Sequence, residues 1–233
     1  MRRKLAPRTR KAVAEAFDRL DYRALGPIYC DEGGDAFWRD RRGPCERLGV
    51  KLAAVLKSRV TPGGRSLYVG AGVAELPLLL METVELTREV AAYNLRVKET
   101  AILNKACADL PVRVLARDAR KAVGRFDHLC LISVLNDPER FPELSALSYG
   151  RANPATFDPV RFAKERRSVE ALADACLRKL ARPGLVTTSV EEIPWITAWC
   201  ERHRISCVVE NADYPTALVG DPVCFIHVGP SGR

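Results

Sequence analysis

The sequence predicts an α/β fold with a doubly wound sheet of seven strands, an N-terminal helical extension and an antiparallel C-terminal hairpin. Three observations predict this fold. Short apolar segments alternate with helical patterns between residues 66 and 204, which is typical of a parallel sheet covered by helices on both faces. The last two apolar segments, 206–209 and 223–228, have no helix between them, so they should pair antiparallel. Residues 1–60 show helical periodicity without a strand pattern.

The composition limits the class of protein. The chain has 233 residues, of which 47% are hydrophobic and 28% charged, so it can form a hydrophobic core without disulfides or structural metals. No segment approaches the roughly 20 consecutive apolar residues that a membrane-spanning helix requires. Met1-Arg2-Arg3-Lys4 is not followed by the apolar segment of a signal peptide. We therefore expect a cytoplasmic protein that does not bind a membrane.

Residues 1–60 are predicted to form a basic helical extension or cap, and residues 61–233 the main domain. Val13, Phe17 and Leu20 follow helical spacing within 10–20, and a second helix is predicted over 45–59. The glycines and prolines of 26–44 predict a loop between them. This part of the chain holds 15 lysines and arginines against 8 acids, a balance of +7, whereas the rest holds 22 against 21. A basic segment of this kind can attract nucleic acid or an acidic substrate.

The main domain shows strands and helices in alternation. The apolar run 126–135 is typical of a strand buried on both faces, and the regular apolar positions of 159–181 predict a long helix. The proline-containing stretch 136–158 has no clear period and is predicted as a long loop. The remaining predicted strands are 66–69, 89–95, 112–115 and 185–190, and the remaining predicted helices are 73–87, 97–108 and 191–204.

The eight cysteines do not form a recognisable metal motif. No two of them have the Cys-x-x-Cys spacing, and several lie within apolar stretches, where they act as small buried hydrophobic residues. Cys200 and His203 are three residues apart, as are Cys224 and His227, but the second pair falls in a predicted strand, where an odd spacing separates the side chains. We expect reduced thiols and no bound metal.

The glycines Gly70 and Gly72 directly follow the predicted strand 66–69. In an open α/β sheet, ligands bind beyond the carboxyl ends of the strands, near the point where the strand order reverses. Glycine at such a strand end lets the backbone approach a ligand closely. The same two glycines are equally compatible with a simple tight turn.

Four motifs give this observation a context: Tyr68-Val69-Gly70-Ala71-Gly72, Arg117-Asp118-Ala119, Phe126-Asp127 with Ser133-Val134-Leu135-Asn136, and Leu180-Ala181-Arg182-Pro183-Gly184-Leu185-Val186. In this order and spacing, residues 66–228 resemble the class I S-adenosylmethionine-dependent methyltransferases, which have a Rossmann-like fold. The resemblance implies S-adenosylmethionine as the cofactor. It also implies a set of cofactor-binding residues: Tyr68, Gly70, Ala71, Gly72, Asn94, Leu95, Asp118, Ala119, Ser133 and Val134.

Three positions depart from the family pattern. Tyr68 stands where the first motif usually has an acid, and Ala74 replaces the third glycine. Asn94 stands where the family has an acid that accepts hydrogen bonds from the ribose; an amide oxygen accepts such bonds without the charge that strengthens them. These departures leave open a methyltransferase-like binding protein without activity. A dinucleotide-dependent dehydrogenase is the other glycine-rich candidate, but it would need a small residue at Glu75 and an acid near Asn94.

The residues after strand 126–135 are the candidates for catalysis. Methyl transfer needs a general base only where the acceptor loses a proton, and Asp137 is predicted to take that role, with Asn136 and Tyr149 beside it. The sequence at 133–136 lacks the Asn-Pro-Pro-Tyr form of relatives that methylate nucleobase or glutamine nitrogens. We therefore expect a small-molecule acceptor, with a nucleic-acid acceptor bound through residues 1–60 as the alternative.

Overall fold

The computed structural model describes residues 4–30, 34–218 and 220–229. Its helices are α1 (Pro7–Arg19), α2 (Tyr22–Tyr29), α3 (Gly34–Leu56), α4 (Leu76–Leu80), α5 (Val97–Ala106), α6 (Pro142–Ser148), α7 (Pro159–Leu177) and α8 (Ile193–Arg202). Its strands are β1 (Arg65–Val69), β2 (Glu89–Tyr93), β3 (Val114–Leu115), β4 (Phe126–Leu131), β5 (Leu180–Ser189), β6 (Cys207–Val209) and β7 (Val223–Val228).

The strands form one seven-stranded sheet in the order β3-β2-β1-β4-β5-β7-β6. β1 pairs in parallel with both β2 and β4, and β5 pairs in parallel with β4. β7 pairs antiparallel with both β5 and β6, so β7 runs against the other strands of the sheet. The predicted α/β fold with its antiparallel C-terminal hairpin is confirmed. The strand order reverses between β1 and β4, which is where such sheets bind ligands.

The hydrophobic core lies on both faces of the sheet. On one face, Phe17 of α1, Leu56 of α3 and Leu79 of α4 belong to the same buried cluster as Tyr68 of β1. On the other face, the cluster includes Val169 of α7 and Trp199 and Cys200 of α8 with strand residues. The boundary at residue 60 stays a prediction, but the N-terminal helices pack into the same core as the sheet.

The predicted loop over 26–44 is wrong, because α2 extends through Gly26-Pro27 and α3 begins at Gly34 and continues through Pro44. The two glycines serve helix packing instead of a turn. A Cβ atom added to Gly26 would lie 2.6 Å from the carbonyl carbon of Gly34, so the two helix backbones touch at this point. Gly33, which also belongs to the predicted loop, lies outside the described residues.

Three other boundaries differ from the prediction. The loop 136–158 contains α6, which begins at Pro142, a favourable residue for a first helical turn. The helix predicted over 159–181 ends at Leu177, and β5 begins already at Leu180. The helix predicted over 73–87 consists of a 3₁₀ turn, α4 and a π-helical turn at Met81–Glu85.

Candidate functional site

A cavity of about 570 Å³ opens at the carboxyl ends of β1, β2, β3 and β4, on both sides of the reversal in strand order. Its size lies within the range of small-molecule sites. Nine of the residues predicted for the site line this cavity: Gly70, Gly72, Asn94, Leu95, Asp118, Ala119, Ser133, Val134 and Asp137. The sequence motifs are thus brought together around one space. Their roles toward a ligand stay a prediction.

The glycine loop after β1 is closely surrounded by side chains. Gly70 has φ +75°, a conformation that favours glycine, and a Cβ atom there would lie 2.9 Å from Cγ2 of Val134. A Cβ atom on Gly72 would lie 2.8 Å from Oε1 of Glu99 and 3.0 Å from the Tyr29 hydroxyl. Gly70 is therefore favoured by its backbone conformation, and a side chain at position 72 would displace the ends of Glu99 and Tyr29. Ala71 is buried between them, and its backbone N–H donates to the Tyr93 carbonyl at 2.9 Å.

Two buried carboxylates lie beside this loop. Oε2 of Glu75 accepts the Gly72 N–H at 2.8 Å, and Glu99 accepts a hydrogen bond from the Tyr29 hydroxyl. Burial raises the pKa of Glu75 to about 7, and the neighbouring Glu99 adds to the effect. Burial also raises the pKa of Glu99, although the hydrogen bonds from Tyr29 and Asn94 oppose this. The glycine-loop end of the cavity is consequently acidic.

The amides of the glycine loop already have partners within the protein. The Gly72 N–H bonds Glu75, and the Val73 N–H donates to the Tyr29 hydroxyl at 3.4 Å. In phosphate-binding loops such amides point at the anion. Here a carboxylate of the chain occupies that position, so this end of the cavity does not suit a phosphate group.

Asn94 lies at the end of β2 and links the two loops that border the cavity. Its Nδ2 donates to the Ala71 carbonyl at 2.9 Å and to Oε2 of Glu99 at 3.1 Å, while its Oδ1 accepts the Arg96 N–H at 2.8 Å. An aspartate could not donate either of the first two bonds. The amide at position 94 is therefore matched to the carboxylate of Glu99, which lies in the first turn of α5.

The residues after β3 form another wall. The Asp118 carboxylate accepts the Arg120 N–H at 2.9 Å and pairs with the Arg120 guanidinium at 2.6 Å. The hydrogen bond with Arg120 holds the pKa of Asp118 below its usual range, so this carboxylate stays ionised at neutral pH. Ala119 is buried beside it, and Leu95 adds a half-exposed apolar surface.

The loop after β4 is held in place by Glu192. This buried carboxylate accepts the consecutive backbone N–H groups of Ser133, Val134 and Leu135 at 3.1, 2.5 and 2.6 Å. Ser133 adopts φ +54°, and its buried Oγ has no hydrogen-bond partner among the described residues. Ser133 lines the cavity, although its Oγ is buried below the cavity surface.

The three candidate catalytic residues lie in two places. Asp137 lines the cavity, and burial raises its pKa despite a 3.0 Å hydrogen bond from the Glu139 N–H. Asn136 and Tyr149 are not among the cavity-lining residues; both bond Oδ2 of Asp221, at 3.1 and 2.5 Å. Burial, together with Asp221, raises the pKa of Tyr149, so its hydroxyl stays protonated.

Tyr68 points away from the cavity. Its hydroxyl donates to Oε1 of Glu82 at 2.8 Å inside a buried cluster that also contains His128 and Arg88. Burial alone would raise the pKa of Glu82, but its interactions with His128 and Arg88 lower it to about 2. The side chain that replaces the expected first-motif acid therefore belongs to the core, and only its backbone borders the glycine loop.

Four residues that shape the site carry no sequence motif: Tyr29, Glu75, Glu99 and Glu192. One signal was present for Glu99, because it shares a helical face with Leu103 and Ala106, both of which are buried. A carboxylate on such a face is unusual unless it has partners. Tyr29 could not be found in this way, since its segment was predicted as a loop.

The fold and the cavity together define a class: a doubly wound sheet with a reversed β7 and a ligand space at the β1–β4 switch point. No protein-family model matches the sequence, and no curated protein matches it. Solved structures do share the fold. Magnesium protoporphyrin IX methyltransferase (ChlM) from Synechocystis PCC 6803, solved with bound SAM, aligns with a TM-score of 0.54 at 12% identity over 95% of this chain and 98% of that one.

Two further structures support the same assignment of fold. A methyltransferase from Pyrococcus furiosus aligns with a TM-score of 0.51 at 14% identity, covering 78% of this chain and 82% of that chain. TYW2 from P. horikoshii, in complex with MeSAdo, aligns with a TM-score of 0.51 at 12% identity, covering 81% of this chain and 64% of that chain. The chain has the class I methyltransferase fold, as the sequence motifs predicted.

Two kinds of feature are absent from the described residues. None of their helices combines the length and the apolar character needed to cross a bilayer. Within the same residues, no three histidine, cysteine or acidic side chains come together in a way that could hold a metal ion.

Proposed function

We propose that the chain binds S-adenosylmethionine in this cavity and transfers its methyl group to a small-molecule acceptor. The observation that carries the proposal is the acidic glycine loop at the β1–β4 switch point, where Glu75 accepts the Gly72 N–H and Glu99 lies beside Gly72. The cofactor carries a sulfonium and an ammonium group, both cationic. A dinucleotide would instead bring a pyrophosphate to the glycine loop, where the amides are already bonded.

The other walls fit the remaining parts of such a cofactor. The ionised Asp118 and the apolar surfaces of Leu95 and Ala119 suit a purine, as the family resemblance implies for the acid-plus-small motif. The solved neighbours with bound SAM and MeSAdo are consistent with a cofactor of this class.

When bound, S-adenosylmethionine supplies an activated methyl group. The chain's own residues position the acceptor and handle its proton. Asp137 lies on the cavity wall with a raised pKa, so its carboxylate is a stronger base than an exposed one and can accept a proton from an acceptor hydroxyl or amine. Asn136 and Tyr149 support this loop from behind through Asp221.

The volume of the cavity, about 570 Å³, favours a small acceptor over a nucleic acid. Ile28 and Tyr29 of α2 add apolar and aromatic surface to its lining, as does Leu218 from the segment before β7. The positive charge of residues 1–60 remains the one sequence feature that favours the nucleic-acid alternative. That alternative predicts binding that weakens steeply with salt and depends on the basic residues of the N-terminal helices.

The test combines binding and turnover. The protein is incubated with methyl-labelled S-adenosylmethionine and a panel of phenols, carboxylic acids and amines, and transfer is measured by counting extracted product. We expect one acceptor class to be labelled and the Asp137→Asn variant to retain cofactor binding while losing most of the transfer. Cofactor binding without transfer to any acceptor would favour the inactive alternative. A protein that binds no cofactor at millimolar concentration would refute the proposal.

A further inference from the structure

We infer that the acceptor of the methyl group is a small carboxylic acid, whose carboxylate pairs with Arg140 while its proton-bearing oxygen or nitrogen faces Asp137. Arg117, a second arginine of the lining, adds positive charge to the same cavity. The inference rests on the proposed function and deepens it, because it names the chemical class of the acceptor.

Asp137 and Arg140 are the first and last residues of one tight turn after β4. The Arg140 N–H donates to the Asp137 carbonyl at 3.2 Å, and Oδ1 of Asp137 accepts the Glu139 N–H at 3.0 Å. An aspartate followed by a proline, here Pro138, favours such a turn, in which the first and last Cα atoms lie within roughly 7 Å. Both residues line the cavity. One turn therefore presents a base and a cation to the same space.

The residue after the turn holds it in place. The Phe141 N–H also donates to the Asp137 carbonyl, at 2.8 Å, and Phe141 is buried in the core cluster formed with α7 and α8. The Arg140 guanidinium lies over the Phe141 ring, 5.1 Å from its centroid. A guanidinium is planar and stacks on aromatic faces, so less freedom is lost when it binds an anion. The cation is thus partly ordered in the free protein.

The charge of Arg140 is not neutralised within the chain. Among the described residues, its exposed guanidinium takes part in no hydrogen bond or ion pair, and the same holds for the exposed side chain of Arg117. The acid beside it, Glu139, binds Arg96 at 2.8 Å instead. Two guanidinium groups of the cavity lining are therefore free to bind an anion.

The glycine-loop end of the cavity does not suit an anionic group. Glu75 and Glu99 border that end, and the Gly72 N–H is already bonded to Glu75. An anion is therefore directed to the arginines. Because the carboxylates of Asp118 and Asp137 also line the cavity, they repel a second negative charge on the same group. A carboxylate consequently fits better than a phosphate dianion.

The carboxylate of the acceptor binds and is not itself methylated. During transfer, the acceptor's oxygen or nitrogen bonds the methyl carbon, the carbon–sulfur bond breaks with its electron pair going to sulfur, and the proton passes to Asp137. The acceptor's carboxylate keeps its charge throughout, so its pairing with Arg140 can orient the nucleophile during the reaction.

The experiment measures acceptor binding to the full-length protein saturated with S-adenosylhomocysteine. The probes are 4-hydroxybenzoate, 2-aminobenzoate and 3-hydroxybutyrate, each titrated beside its own primary amide, which has nearly the same shape without the charge. Binding is followed by saturation-transfer NMR. We expect at least one acid to bind at least about fivefold more tightly than its amide, which is the effect of a partly exposed ion pair.

Variants then locate the anion. Arg140→Gln should abolish the preference for the acid over the amide, and Arg117→Gln should reduce it. Arg113→Gln is the matched control and should keep the preference, because Arg113 is an exposed arginine directly before β3 that is not among the cavity-lining residues. Thermal unfolding of each variant shows that it is folded.

Three results would overturn the inference. They are failure of all three acids to bind, equal binding of each acid and its amide, and an acid preference that survives Arg140→Gln. If Arg140→Gln weakens binding of S-adenosylhomocysteine but not of 5′-methylthioadenosine, which lacks the amino-acid part, the arginine binds the cofactor's carboxylate and the inference is also wrong. A protein that binds no S-adenosylhomocysteine would refute the proposed function as well.

Discussion

Substituting Asn94 by aspartate restores the acid that the methyltransferase family has at this position, yet we expect the change to damage this protein. The amide donates to the Ala71 carbonyl at 2.9 Å and to Oε2 of Glu99 at 3.1 Å. An ionised aspartate would face both acceptors with oxygen atoms. Asn94 departs from the family pattern in sequence, but in the structure it forms one half of an amide–carboxylate pair with Glu99.

The magnitude follows from those two contacts. Leaving a buried carbonyl without its donor costs about 1–3 kcal/mol. Placing a second carboxylate against Glu99 forces one of them to take up a proton, at about 1.4 kcal/mol for each unit of pKa shift. We therefore expect Asn94→Asp to lower the free energy of unfolding by about 2–5 kcal/mol at pH 8. The loss should shrink toward pH 5, where a protonated aspartic acid again donates one hydrogen bond.

Urea unfolding followed by circular dichroism at pH 8 and pH 5 measures the effect. Asn104→Asp is the matched control, because the Asn104 amide bonds the carbonyl and the N–H of Val114 and not a carboxylate. It should cost about 1 kcal/mol. The exchange variant Asn94→Asp/Glu99→Gln restores an amide–carboxylate pair and should recover about half of the loss. An Asn94→Asp protein as stable as the wild type at pH 8 would refute the reasoning.

Three further predictions concern the loop, the buried ion cluster and pH. Gly72→Ala should weaken S-adenosylhomocysteine binding at least about tenfold in calorimetry, because the added Cβ would lie 2.8 Å from Oε1 of Glu99. Gly220→Ala is the control: its Cβ would have no atom within 4 Å, so this variant should bind normally. Arg88→Met should cost about 3–5 kcal/mol in urea unfolding, because it leaves the fully buried Glu82 without its guanidinium partner at 2.9 Å; a loss below about 1 kcal/mol would contradict this. Between pH 4.5 and pH 7, the folded protein binds more protons at Glu75 than the unfolded chain does, so the free energy of unfolding falls as pH rises. Glu75→Gln should flatten this dependence in unfolding curves measured across the same pH range.

Much of the fold could be predicted because the strands are marked by local pattern. The continuous apolar segment of β4 and the glycine pair after β1 define the centre of the sheet from sequence alone. The N-terminal region could not be predicted in the same way. Gly26 and Gly34 have the composition of a turn, but they are used where two helix backbones touch, and that contact depends on tertiary packing.

The candidate site was predicted where motifs follow strands and missed where partners come from distant segments. Asn94 and Asp137 were found by position after β2 and β4, and both line the cavity. The bonds from Tyr29 to Glu99 and from the β4 loop to Glu192 join residues separated by about 60 to 70 positions, so no local pattern records them. Tyr68 shows the converse: it lies in β1, two residues before Gly70, but its side chain belongs to the core.

The most direct test of the central claim is a calorimetric comparison of two ligands that make opposite demands on the glycine loop. S-adenosylhomocysteine brings an ammonium group, and NAD brings a pyrophosphate. We predict saturable binding of S-adenosylhomocysteine at one site, with no heat from NAD at the same millimolar concentration and no competition between the two. Binding of NAD in place of S-adenosylhomocysteine, or competition by NAD for the same site, would contradict the assignment of the acidic glycine loop to a cationic cofactor.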